Sequence, residues 1–364
     1  MAITSPRSTT RSRVPAALAL VLALALAGCS MSGSSVAAST SAPAKAHGTV
    51  VLVTHDSFAV DKTVLADFEA ASGRTVKQVA PGDAGTLVNQ LILTKDSPLG
   101  DAVFGIDNAF ASRAIDAGVL APDTSAALPD GAAQYAADTS GSLTPVDVGD
   151  VCVNVDHAWF TAKGLAEPAS LADLAKPEYK DLLVVENPAT SSPGLSFLLA
   201  TIGAFGADGW QSYWTSLKAN GVQVTDGWED AYTVDFSGST GKGPRPLVVS
   251  YASSPPFEVP DGATTAPTGA LLDTCFRQVE YAGVLAGAKN AAGARALVDF
   301  LLSATFQAGI PDQMYMYPVA ADAPLPAAWA TFAPLAAKPF TVPAKDLAAH
   351  RDDWIRSWTD TVIG

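Results

Sequence analysis

Apolar residues along this chain follow two rhythms in turn. Residues 49 to 54 (T-V-V-L-V-T) form a short, nearly continuous apolar run, the mark of a buried strand. Val64, Leu65 and Phe68 then share one face of a helix that Gly73 ends. Residues 75 to 79 make a second strand, Gly82-Asp83-Ala84-Gly85 a turn, and Leu87, Val88 and Leu91 the apolar side of a second helix. Residues 101 to 106 are a third strand, with Asp107 and Asn108 at its carboxyl end. Beyond a Pro- and Ala-rich loop (121 to 145) strands recur near 148 to 155, at 182 to 185, 222 to 224, 247 to 251 and 278 to 284. Apolar helices at 195 to 205 and 294 to 302 lie among them. Trp210 with Trp214, and Trp354 with Trp358, repeat at i, i+4 and mark packed helix faces. The rhythm predicts an α/β fold with a parallel sheet covered by helices. Ligands of such sheets sit beyond the carboxyl ends of the strands. His55, Asp56, Ser57, Asp83, Asp107 and Asn108 all stand there.

The first 47 residues follow neither rhythm. Arg7, Arg11 and Arg13 precede an unbroken apolar run over residues 14 to 27, and no acidic residue comes before it. This is the build of a secretory signal. The run falls short of the ~20 apolar residues a membrane span needs. Its end, Leu26-Ala27-Gly28-Cys29, resembles the lipobox of bacterial lipoproteins, in which the cysteine becomes the lipidated (palmitate-bearing) first residue. We therefore expect a signal peptide over 1–28, a lipid anchor at Cys29 and an extracytoplasmic protein. The Ser- and Ala-rich stretch 29–47 has too few large apolar groups to offset ordering entropy and reads as a flexible tether.

Charge narrows the partners. The chain carries 22 basic and 36 acidic residues, a net −14. Without the three arginines of the leader the balance is 19 against 36, or −17. Such a surface repels nucleic acid and an anionic bilayer, so contact with a membrane is expected through the lipid alone. An acidic field favours a cationic ligand. With Cys29 lipidated, Cys152 and Cys275 remain as an even pair in strand-like surroundings. A disulfide is the favoured reading in an oxidising compartment, and two buried thiols the alternative.

Seven strings, in one order, carry a resemblance. They are T-H-D-S-F-A (54 to 59), G-I-D-N (105 to 108), T-S-S-P-G-L (190 to 195), D-G-W-E-D-A-Y (226 to 232), S-Y-A-S-S-P (250 to 255), M-Y-P-V (316 to 319) and R-D-D-W-I-R-S-W (351 to 358). With them the chain resembles the thiamine-binding proteins of bacterial ABC importers from about Val50 to its C-terminus. The resemblance implies the two-lobed type II periplasmic-binding fold, with the ligand in a cleft between lobes. We expect lobe 1 over 48–147, lobe 2 over 148–276, and a return to lobe 1 over 277–364. It further implies a monomeric receptor that hands thiamine or a thiamine phosphate to a permease, without cofactor, metal or catalysis.

A flat aminopyrimidine joined to a thiazolium of fixed positive charge calls for aromatic faces and polar groups. By resemblance Trp228, Tyr251, Phe257 and Tyr315 match the aromatic lining of the family's cleft. The family usually has tyrosine where Phe257 stands, tryptophan where Tyr315 stands and often tyrosine at His55. His55 can stack on a ring, and Asp56 lies beside it. Asp83 matches a ligand-associated position, with turn capping as the alternative. Ser191 either caps the helix that follows or meets a ligand hydroxyl or phosphate there. Other organic cations such as polyamines, and ferric ion, belong to the same class of receptor. Tyr251 lacks the neighbouring tyrosines an iron site needs. A secreted hydrolase would require a nucleophile and a base, yet neither G-x-S-x-G nor H-E-x-x-H occurs.

Overall fold

The computed structural model describes residues 48–122, 125, 127–137 and 140–364. The expected signal peptide, Cys29 and the tether lie outside them. Among the described residues no helix is long and apolar enough to cross a membrane.

The strands are β1 (Gly48–Thr54), β2 (Arg74–Val79), β3 (Ala102–Asp107), β4 (Thr144–Asp156), β5 (Leu183–Glu186), β6 (Gln223–Thr225), β7 (Leu247–Tyr251), β8 (Thr268–Val284) and β9 (Tyr317–Pro318). The helices are α1 (Lys62–Ser72), α2 (Ala84–Leu93), α3 (Ala111–Asp116), α4 (His157–Lys163), α5 (Ser192–Ala219), α6 (Trp228–Asp230), α7 (Ala291–Leu301), α8 (Ala304–Met314), α9 (Trp329–Phe332) and α10 (Ala344–Val362). Local sequence explains their ends. Asp61 caps α1 by accepting from the Thr63 and Val64 amides, and Gly73 ends it in the left-handed conformation. Inside α5 the expected helix stops at Gly206, whose φ of 69° breaks the spiral before a second segment begins.

One sheet carries the strands in the order β2-β1-β3-β8-β4-β7-β5-β6, with β9 on β4. The expectation of a parallel sheet is corrected here. Two parallel wings exist, β2-β1-β3 and β7-β5-β6. Between them β8 runs antiparallel to β3 and β4, and β4 antiparallel to β7. β4 and β8 are also longer than the apolar runs suggested. Each passes from one wing to the other, and its middle is polar yet buried: Asp147, Asp150, Asn154, Gln278 and Glu280 are all at most 3% exposed. Polar residues in a strand read as loop when only the sequence is seen. The expected boundaries at 147 and 276 both fall inside these crossing strands.

Cys152 and Cys275 form a disulfide between β4 and β8, 123 residues apart in sequence. It sits where the register of the two strands shifts, between Val151 and Val153. The core is built as the apolar pattern implies. Trp214 is fully buried against Trp358 and Phe197, with edge-on ring contacts of 5.4 and 5.6 Å. Trp354 is packed at the margin of that core. Through these rings α10 is seated on α5.

Candidate functional site

A cavity of about 270 Å³ opens at the carboxyl ends of the strands, and both wings line it. From the first wing come His55, after β1, and Asp83, at the start of α2. The second supplies Trp228 at the start of α6 and Tyr251 at the end of β7. The crossing strand β8 adds Glu280, and the end of α8 adds Tyr315.

The aromatic side is organised around Trp228. Its ring lies 6.3 Å from Tyr251, tilted, and 6.1 Å from Tyr315, nearly perpendicular. Its indole N–H donates to Ser250 Oγ at 2.9 Å, which fixes the ring on β7. Tyr251 accepts from Gln278 Nε2 at 3.2 Å. Tyr315 ends α8 with φ of 58°, an uncommon conformation for a bulky residue, so packing holds it there. Phe257 stacks flat on Tyr315 at 3.4 Å. It backs the wall and does not itself line the cavity.

Beside the rings the cavity is lined by carboxylates. Asp83 accepts from its neighbour's amide, Ala84, and also from the amides of Ser192 (3.3 Å) and Trp228 (3.3 Å). One carboxylate thus meets the starts of α2, α5 and α6, and at α2 and α5 the helix dipoles favour negative charge. Both readings of Asp83 hold together, since it caps α2 and lines the cavity. Burial nonetheless pushes its carboxyl above the usual range, against hydrogen bonds from Ser191 and Ala84 that lower it. Asp107, at the end of β3, accepts from the Ala109 and Phe110 amides at 2.8 Å and from the Ser192 hydroxyl. Burial raises its pKa to about 8. Glu186, fully buried at the end of β5, is pushed well up by the same loss of water, then by Asp83.

His55 Nε2 stands 3.6 Å from Glu280 Oε2. Burial pulls the imidazole down, but Glu280, Asp83 and Asp56 together more than offset it, and the net shift is upward. The ring fits because position 105 is glycine. A Cβ there would lie 2.2 Å from His55 Cδ2, and φ of +96° is itself unsuited to a side chain.

Five of the eight expected ligand residues therefore meet at the cavity: His55, Asp83, Trp228, Tyr251 and Tyr315. Phe257 is one layer behind. Ser191 is fully buried as the N-cap of α5, its hydroxyl accepting from Gly194, while its neighbour Ser192 reaches the cavity. Asp56 is exposed and does not line it. Sequence reading missed Glu280, Met314 and Met316. Glu280 lies inside an apolar strand, Q-V-E-Y-A, and the charged residue in that run was the available signal. Among the described residues no group of three or more His, Cys, Asp or Glu could hold a metal ion.

A cleft between two α/β wings, joined by crossing strands and lined from both sides, defines a solute receptor of the two-lobed type II periplasmic-binding fold. Residues 98–337 match the family described as bacterial extracellular solute-binding protein, and the chain belongs to that family. It is 31% identical over 333 residues to the thiamine-binding periplasmic protein of Salmonella typhimurium, covering 88% of this chain and 96% of the relative. A solved periplasmic thiamin binding protein superposes with a TM-score of 0.75 at 29% identity, over 86% of this chain and 96% of its own. The periplasmic binding protein AfuA from Actinobacillus pleuropneumoniae shares the fold, with a TM-score of 0.73 at 17% identity over 87% of this chain and 99% of its own.

Proposed function

We propose that the protein is an extracytoplasmic receptor that binds thiamine or its phosphate in this cleft and passes it to an ABC permease. One observation carries the reading: Trp228, Tyr251 and Tyr315 present π faces beside the buried carboxylates of Asp83 and Glu280. That combination suits a flat heterocycle of fixed positive charge, and the relatives named above are thiamine-binding proteins. Closure of the wings over the ligand excludes water, and the ligand shifts the equilibrium only by its preference for the closed form. The role needs neither catalysis nor a cofactor. In this reading Cys29 carries the lipid that tethers a monomeric receptor to the membrane, residues 29–47 give it reach, and the lobes divide near 147 and 276.

Thiamine titrated into the purified protein tests the proposal. Quenched tryptophan emission and a raised melting temperature are expected. Ligand at about 1,000 times its dissociation constant adds roughly 4 kcal/mol of stability. A shift with spermidine or ferric citrate and none with thiamine would reassign the ligand.

A further inference from the structure

Asp147 and Glu280 face each other across β4 and β8 as a register pair of adjacent antiparallel strands. Side chains so placed have Cβ atoms about 5 Å apart on one face. Asp147 is fully buried and Glu280 is 3% exposed. Neither oxygen of Asp147 finds a hydrogen-bond donor, nor does Glu280 Oε2; Glu280 Oε1 accepts from Gln278 Nε2 at 3.1 Å. Ionised carboxylates only accept, so two of them in contact satisfy each other only when one carries a proton. Glu280 also lines the cavity, where its free oxygen stands beside the unpartnered Nε2 of His55.

Among the described residues that interact with this pair or line the cavity beside it, every titratable group other than His55 is a carboxyl or a phenol. Asp83 comes from the start of α2, Asp107 from the end of β3 and the Tyr251 phenol from β7. Glu186 stands behind Asp83, and Asp56 beyond His55. No lysine or arginine among the described residues lines the cavity. Only His55 supplies positive charge there, and only by holding a proton.

We infer that Glu280, backed by Asp147, is the counter-charge for the positive ring of the ligand, and that binding exchanges a proton of this cluster for the cation. The inference rests on the thiamine reading and adds its charge chemistry. In the empty receptor the buried Asp147 carboxyl holds its proton because water is absent and no hydrogen-bond donor reaches either of its oxygens. Burial first, then Glu280, holds the Asp147 carboxyl well above the carboxylate range. A fixed cation entering the cavity favours the ionised form of each acid and the neutral form of His55. Both changes release protons. Affinity therefore rises with pH as long as the empty cluster still holds the proton.

Calorimetric titration of the purified protein with thiamine, in phosphate and in Tris, counts the protons. Near one proton released per ligand is expected, with affinity rising up to about tenfold per pH unit between about pH 6 and about pH 8. The neutral thiophene isostere 3-deazathiamine keeps the aminopyrimidine and lacks the charge; it should bind with no proton released. Glu280→Gln should weaken thiamine about 10- to 100-fold, weaken 3-deazathiamine far less and lower the number of protons released. Infrared spectra of the empty protein should show a protonated carboxyl band that Asp147→Asn removes. Thiamine binding with no buffer dependence, or equal proton release with the neutral isostere, overturns the inference and leaves the receptor assignment standing. Absence of thiamine binding overturns both.

Discussion

The two sides of the cleft are built on opposite principles. The aromatic wall (Trp228, Tyr251, Tyr315) is made of groups that are content in contact with one another; Trp228 and Tyr251 each keep one polar handle satisfied, on Ser250 and Gln278 respectively. The acidic floor (Glu280 and Asp83, with Asp147 and Asp107 near them) gathers carboxyl groups out of water, and both oxygens of Asp147 and one of Glu280 have no donor. Such a floor is costly when empty. In the proposed reading the difference teaches that the wall selects shape, while the floor calls for positive charge.

The wall gives the largest expected effect. Trp228→Ala removes the ring around which Tyr251 and Tyr315 are arranged and should weaken thiamine at least 100-fold, about 3 kcal/mol. Calorimetry reads this directly, and an unchanged melting temperature of the empty protein would confine the loss to the site. Unaltered affinity would remove Trp228 from the wall.

The floor should answer through stability and pH. An acid whose folded pKa is raised keeps its proton in the native state after the unfolded chain has lost it. Its contribution to stability is therefore full below the unfolded value and declines as pH rises toward the folded one. Asp147 and Asp107 are shifted that way. His55, also raised, is stabilising below its unfolded value and loses that contribution as pH climbs through its folded one. All three have one sign. The empty receptor should lose stability from about pH 5 to about pH 8, by up to roughly 1.4 kcal/mol per pH unit for each proton retained. Asp147→Asn should flatten that slope in denaturant titrations. An unchanged slope would mean that Asp147 is ionised in the native protein.

Phe257→Ala separates wall from backing. Phe257 touches Tyr315 and not the cavity, so the expected loss is roughly 5- to 10-fold in affinity, about 1 kcal/mol. A loss as large as that for Trp228 would place Phe257 against the ligand.

The wall was legible in the sequence and the floor only in part. Trp228 follows Gly227 at a helix start, and Tyr251 closes an apolar run before S-S-P-P, so local signals put both rings at strand and helix ends. The first wing was equally readable, because β1 and β3 are short apolar runs and each strand there is followed by a helix. Glu280 and Asp147 were not. They become a pair only through the register of two strands more than a hundred residues apart, which no local periodicity encodes. The same long-range pairing hid the antiparallel centre of the sheet. Ser191 and Ser192 show the finer limit: their spacing announces a helix cap, but which of two adjacent serines reaches the cavity is decided by the turn.

The bond between Cys152 and Cys275 has a practical consequence. It joins the two chain segments that pass between the wings, where their register slips. Thiols made inside a reducing cell would leave two sulfhydryls at that crossing in place of one covalent link. Opening rates or melting points compared between preparations from different compartments would then describe two distinct molecules bearing one sequence.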